Sequence, residues 1–295
     1  MGHTKKLSSR GVWFFTETMS SDEAIAFAKK VEELNYSALW LPETTGRDPF
    51  SHIAMLASHT DRLLFATGIA NIHHRHPGVT KQAAATLAEL SDNRFVLGLG
   101  VSHAPLVEGL RQLDYSKPLE SMRNYLIAMK NSPYTSVPPS MEPPCVLAAL
   151  GPRMLELAGE ETDGAHPYLT TPEHTARARE IMGKEKLLCV EQKVAFTTSR
   201  EVVYETARQE LARYIRLPNY RNNWKRLGFG DEEIDEISDR FIDEIVAWGT
   251  HDQISQRLQE HEEAGATHVC IQPIAVHGEF GTPHWEALEA LAPNS

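Results

Sequence analysis

The chain has 295 residues, 41% of them hydrophobic and 23% charged, the composition of an ordinary globular protein. Its 29 basic and 40 acidic residues leave a net charge of −11, which argues against a nucleic-acid or anionic-membrane partner while leaving room for a local anion pocket. No apolar run approaches the roughly 20 residues of a membrane span, and the opening Met1-Gly2-His3-Thr4-Lys5-Lys6 has no apolar segment behind it, so no secretion signal is expected.

Taken in order, Arg10-Gly11-Val12-Trp13-Phe14-Phe15 reads as a first strand. Ser20 with Glu23 has the form of a capping box, and Ala24, Phe27, Ala28, Val31 and Leu34 make one apolar helix face behind it. Residues 37–41 form a second strand ending at Pro42-Glu43, and residues 50–58 an apolar helix. Leu63-Leu64-Phe65-Ala66-Thr67-Gly68-Ile69-Ala70 and Arg94-Phe95-Val96-Leu97-Gly98-Leu99-Gly100 are apolar runs without alternation, as in strands covered on both faces. Between them Val79, Ala83, Ala84, Leu87, Ala88 and Leu90 form a helical stripe, giving a parallel strand–helix–strand unit. A helix is expected at 119–130, then a Pro-rich extended connector at 133–144. Residues 145–150, 164–169, 187–197 and 266–274 read as strands five to eight, with helices near 152–158, 172–182, 252–264 and 283–291. The periodicity breaks at 199–249, a stretch read as helical without a strand and placed over the barrel mouth. Cys145, Cys189 and Cys270 sit in apolar strand-like runs, so buried inert thiols and a reducing cytoplasm are expected.

Eight strands alternating with helices predict a (β/α)8 TIM barrel, a single domain over 1–295 with a helical insertion between strands 7 and 8. A doubly wound open sheet is the alternative, because closure does not show in a sequence. In either fold, ligands belong at the C-terminal strand ends.

Gly98-Leu99-Gly100 resembles the start of a dinucleotide fingerprint, but the third glycine is replaced by His103 and the unit is not the first. The two glycines fit tightly packed backbone and leave room for a flat ring, two compatible readings. His73-His74-Arg75-His76 lacks a nearby acidic ligand and reads as a solvated turn, so no metal site is expected. Glu43, at the end of strand two, is a candidate catalytic carboxylate whose bland alternative is a loop salt bridge with Arg47. His103, directly after strand four, is a candidate proton donor or acceptor near neutral pH. No nucleophile elbow and no phosphate loop of the Walker kind appears. The residues alone stop at a barrel with a polar, glycine-lined mouth.

Thr67-Gly68-Ile69-Ala70, Arg75-His76-Pro77, residues 94–100, Leu39-Trp40-Leu41-Pro42-Glu43, Leu150-Gly151-Pro152 and Ala264-Gly265-Ala266-Thr267-His268-Val269 resemble the luciferase-like monooxygenases along essentially the whole chain. Gly100-Val101-Ser102-His103-Ala104-Pro105-Leu106 and Leu217-Pro218-Asn219-Tyr220 are most similar to the branch that uses the deazaflavin coenzyme F420. The resemblance implies a barrel with F420 at the strand C-termini, FMN being the alternative. Gly68, Ile69 and Ala70 then match a non-proline cis peptide and bulge that back the ring. Val101, Ser102 and His103 match the loop lining the cofactor, and Ala149, Leu150, Gly151 and Pro152 the loop passing its side chain and phosphate, with Arg153 nearby. Thr44 stands where many relatives have His, and His103 where some have a glutamate acid. The implied activity is hydride transfer between F420 and a small organic substrate in a homodimer, the insertion forming a lid with Asn219, Tyr220 and Trp224 as contacts. The alternatives are an FMN-dependent monooxygenase served by a separate reductase and a non-catalytic ligand-binding barrel.

Overall fold

The computed structural model describes residues 7–276 and 280–293, so the opening Met1-Gly2-His3-Thr4-Lys5-Lys6 lies outside the described residues. In chain order the elements are β1 (Arg10–Trp13), α1 (Ser21–Glu33), β2 (Ala38–Leu41), α2 (Pro49–Ala57), β3 (Leu64–Thr67), β4 (Ala70–Asn71), α3 (Pro77–Leu90) and β5 (Phe95–Gly100). A π-helical turn (Pro105–Leu110) precedes α4 (Pro118–Asn131), β6 (Cys145–Leu147), α5 (Pro152–Glu161), β7 (Gly164–Ala165), α6 (Pro172–Met182) and β8 (Leu187–Ala195). The insertion holds α7 (Arg200–Leu211), α8 (Pro218–Arg226), α9 (Asp231–Asp235), α10 (Asp239–Ile245) and β9 (Val246–Trp248). The chain ends with α11 (His251–Glu263), β10 (His268–Pro273) and α12 (Trp285–Ala290).

The strands run in the order β10-β1-β2-β3-β5-β6-β7-β8, and β10 also pairs with β8, closing the ring. Every pairing is parallel. The fold is therefore a (β/α)8 TIM barrel and the open-sheet alternative is excluded. One expectation needs correction. The insertion is not wholly helical, because β9 extends the β7 edge of β8, with Lys193 opposite Val246 and Val194 opposite Ala247.

The absence of alternation in these strands has a direct cause, since both faces of each are buried. Outward residues such as Val12, Leu39, Phe65, Phe95, Leu97 and Val269 meet the helices, while Trp13, Trp40, Ala66, Val96, Cys189 and Cys270 fill the barrel interior. The capping box at α1 forms, with Ser20 N–H donating to Glu23 Oε2 and Glu23 N–H to Ser20 Oγ. The insertion carries its own apolar cluster, centred on Trp224, Phe241, Ile242 and Leu211. All three cysteines are free thiols. Among the described residues no helix is long and apolar enough to cross a membrane.

Candidate functional site

The C-terminal rim is irregular at β3. Ala66 pairs with Val96 and Ala70 with Leu99, so four residues of one edge span three of the other. That surplus residue is a bulge at Thr67-Gly68-Ile69. The Gly68–Ile69 peptide is cis, and Gly68 O accepts from Trp13 Nε1 at 3.1 Å. Thr67 Oγ1 bridges the interrupted ladder, donating to Gly98 O at 2.7 Å and accepting from Gly98 N–H at 2.8 Å.

The glycines of β5 serve this bulge. A Cβ on Gly98 would lie 1.9 Å from Thr67 O, and one on Gly100 would lie 2.4 Å from Ile69 Cδ1. The space they leave is occupied by the protein itself, chiefly by the Ile69 side chain. The tight backbone packing expected of these glycines is present. The bulge closes the barrel wall and presents Ala70 behind it, at the β4 position.

Glu43, next to this corner, receives Asn71 N–H at 2.7 Å, Arg75 Nη1 at 2.8 Å and Nη2 at 2.5 Å, and lies 3.2 Å from His74 Nδ1. Burial alone would raise its pKa, but the Arg75 and Asn71 bonds outweigh it, and the pKa lies below the ordinary value. A carboxylate held ionised and filled on both oxygens is a poor proton donor. The bonds of Glu43 tie β2 to β4 beside the bulge, an arrangement that suits positioning more than the catalytic role expected from sequence. Its ion-pair partner is Arg75, whereas Arg47 donates to Met19 O at 2.5 Å. His76 caps α3 through Gly78 N–H, and among the described residues no cluster of His, Cys, Asp and Glu is arranged to hold a metal.

Beyond β5 the chain turns at Ser102, whose φ of 59° is held by Tyr115 Oη donating to Ser102 O at 2.7 Å. Val101 and Ser102 are half-buried on this loop. His103 follows, its Nδ1 donating to Asn219 Oδ1 of the insertion at 3.1 Å and its ring 5.4 Å from that of Tyr220. With Nδ1–H so engaged, the neutral ring has Nε2 as its basic atom. Burial lowers the His103 pKa, with the Asn219 bond opposing it, so the ring is neutral at pH 7. Asn219 and Tyr220, both expected as lid contacts, thus meet the rim. Trp224 does not: it is fully buried, donating to Leu169 O at 3.0 Å as an anchor of the insertion.

Next along the rim, β6 leaves the sheet after Leu147, where Ala148 N–H still donates to Leu99 O at 2.8 Å. Ala149 is buried, and Leu150 O is pinned by His174 Nε2 at 2.9 Å. Gly151 then caps α5 without a side-chain bond, and Pro152 takes the first turn. Arg226 Nη1 lies 3.7 Å from where a Gly151 Cβ would sit. A helix start beside a guanidinium is an anion-receiving arrangement. Arg226 lies 75 positions from Gly151 in the sequence, and no local signal joins the two.

Under this rim lies a floor that the sequence reading missed. Trp13 and Tyr168 approach to 5.1 Å between ring centroids, Trp13 and Phe15 to 4.8 Å, and Tyr168 and Tyr214 to 5.7 Å. Tyr168 Oη donates to Gln272 Oε1 at 2.8 Å. Glu191 and Lys193 point inward from β8, both fully buried. Glu191-Gln192-Lys193, a polar triplet inside an apolar strand, was the available signal.

A family model of the luciferase-like monooxygenases matches residues 5–268 of this chain. A putative coenzyme F420-dependent oxidoreductase of Mycobacterium tuberculosis is 25% identical, covering 88% of this chain and 92% of that protein. Among solved structures, the coenzyme F420 dependent tetrahydromethanopterin reductase of Methanopyrus kandleri superposes with a TM-score of 0.77 at 16% identity, covering 97% of this chain and 98% of the other. A type II Baeyer-Villiger monooxygenase of Pseudomonas putida, in complex with FMN, gives 0.71 at 14% identity, with 97% of each chain covered. The match over most of the length, on a closed barrel carrying the bulge at 67–70, shows that the chain belongs to the luciferase-like monooxygenase family.

Proposed function

We propose that the protein is an F420-dependent oxidoreductase that transfers a hydride between the deazaflavin and a small organic substrate. The observation that carries this reading is the sharing of one rim arc by the bulge at 67–70, the 101–103 loop and the Arg226-flanked start of α5. The F420-dependent relative of M. tuberculosis supports it.

The residues present fit the cofactor. The N–H groups that open α5, with Arg226, would hold its phosphate, and Ala149, Leu150, Gly151 and Pro152 would line the path of its side chain. Gly68, Ile69 and Ala70 would stand behind the ring, and Val101, Ser102 and His103 beside it. When bound, the deazaflavin accepts or gives a hydride at C5.

The chain's own contribution is position, dryness and a proton. His103, neutral and oriented by Asn219, takes a proton at Nε2 from a substrate hydroxyl, or returns it in the reverse direction. Tyr220, buried and packed against Tyr214 and Tyr168, keeps water from the floor beneath the rim. A homodimer belongs to the same reading, supported by Val79, Leu90 and Ile127, apolar and exposed on the neighbouring helices α3 and α4.

The test is a fluorescence titration of the purified chain with F420 and, separately, with FMN. Saturable F420 binding that weakens about tenfold in Arg226→Ala supports the reading, a charged hydrogen bond being lost. Tight FMN binding with none of the deazaflavin ends it in favour of a flavin monooxygenase, the cofactor that the P. putida neighbour holds.

A further inference from the structure

The buried charges on β8 have no place in the mechanism above. Lys193 is fully enclosed, yet among the described residues its Nζ has no hydrogen-bond partner. Glu210 Oε2 lies 3.6 Å from it, and the other oxygen of Glu210 is held by Arg213 at 3.1 Å. Nζ faces the rings of Tyr168 and Tyr214 at 5.5 and 5.8 Å, contacts that suit a cation without filling its three donors. Glu191, two residues away on the same face, accepts Leu169 N–H at 2.9 Å through Oε2 while Oε1 has no partner. Burial raises the Glu191 pKa to about 7, with Lys193 opposing, so at neutral pH it supplies only part of a counter-charge. A buried ammonium with idle donors is costly unless something with oxygens comes to meet it.

We propose that Lys193 is the anchor for a carboxylate of the substrate, received at the inner end of the barrel mouth. A crevice lined by Glu210, Gln272, Phe15 and Phe280, with room for about one water, opens on the far side of Glu210, the ion-pair partner of Lys193. Tyr220 links this floor to the rim, 6.1 Å from Tyr168 and 5.4 Å from His103. The substrate class this implies is an organic acid, its carboxylate at Lys193 and its reacting carbon on the His103 side of Tyr220. This assignment rests on the hydride-transfer reading for the reacting end alone; the anion anchor stands on the Lys193 geometry.

The test compares the full chain with Lys193→Met and Lys193→Arg by thermal shift in acetate, succinate and neutral succinamide at pH 7. The expected result is stabilisation of the parent by at least one of the acids and not by succinamide. Half-saturation should weaken about tenfold or vanish in Lys193→Met, as one charged hydrogen bond is lost, and survive in Lys193→Arg. Without ligand, Lys193→Met should melt at or above the parent, because an idle buried charge is removed. A lower melting temperature in Lys193→Met with an unchanged acid response, or no acid response in the parent, overturns the proposal and makes Lys193 the structural partner of Glu210. Titration of the same variants with F420 separates the two readings. Equal F420 affinity in Lys193→Met and parent keeps Lys193 at the substrate, whereas a loss of affinity assigns it to the cofactor's own acidic groups and overturns the proposal. Failure of F420 to bind any variant removes the hydride-transfer reading and leaves the acid response to decide the anchor.

Discussion

Two buried glutamates at the mouth of this barrel have opposite fates. Glu43, at the β2–β4 corner, has both oxygens filled by Arg75, Asn71 N–H and His74, and its pKa falls. Glu191, in the floor on β8, has one oxygen filled and one idle, and its pKa rises to about 7. Burial is the largest influence on both and acts in the same direction; the donors around each carboxyl decide the sign. The corner is a finished structural joint that shapes the rim. The floor is unfinished, and unfinished polar groups are where a ligand finds its partners.

Gly98→Ala should break the corner most completely. A Cβ there would lie 1.9 Å from a backbone oxygen with nowhere to move, so a loss of about 3 kcal/mol or more is expected from chemical denaturation, at the upper end of overpacking. An alanine variant of parental stability would show that the bulge relaxes freely. Glu43→Ala comes next, at about 3 kcal/mol, because it leaves Arg75 half-buried with only Asp48 to answer it. A loss below about 1 kcal/mol would put the pair in the class of solvent-screened surface bridges.

The buried histidines and Glu191 make stability depend on pH in opposite senses. Burial depresses His166, His174 and His268 to about 4 and His261 to about 3, below their ordinary 6.5. Each therefore contributes stability that is present above pH 6.5 and lost as pH falls towards its folded value, at up to about 1.4 kcal/mol per pH unit. Glu191 runs the other way. Its folded pKa lies above the ordinary 4.5, so it costs stability progressively as pH rises from about 4.5 to 7. The histidines outnumber it, so the melting temperature should fall on acidification from pH 7 to 5. Glu191→Gln should make that fall steeper and raise stability at pH 7. An unchanged pH profile in this variant would show that Glu191 is ionised throughout.

The smallest effect on stability belongs to Asn219→Ala, below about 1 kcal/mol, since the bond to His103 is exposed. Its effect on turnover should be larger, with the pH–rate profile shifted as His103 loses its orientation. A profile identical to the parent's would remove His103 from proton transfer.

Most of the barrel was legible because parallel strands buried on both faces announce themselves as unbroken apolar runs. Ends were less so. The sixth strand, expected at 164–169, stops at Ala165, because Pro167 has no N–H to give and Leu169 turns to a φ of 55°. Val246-Ala247-Trp248 is too short to read as a strand, and it forms one only because β8 runs past the end of β7 and exposes an edge. At the site, strand-end residues such as Glu43 and His103 could be placed from sequence, whereas their partners could not. Arg75 lies 32 positions from Glu43 and Asn219 lies 116 from His103, and only the closed barrel brings them together. Lys193 was overlooked because an apolar strand was read for its pattern and its three polar residues were passed over.

The central claim, an F420 site on the arc from the bulge to α5, is tested most directly by melting the full chain in the presence of F420 and of FMN. A ligand that binds only the native state raises the melting temperature, by the equivalent of about 2.7 kcal/mol at a hundredfold excess over its Kd. The account predicts a saturable rise with F420 that Arg226→Ala diminishes. A rise with FMN alone, or an F420 response indifferent to Arg226, would contradict it.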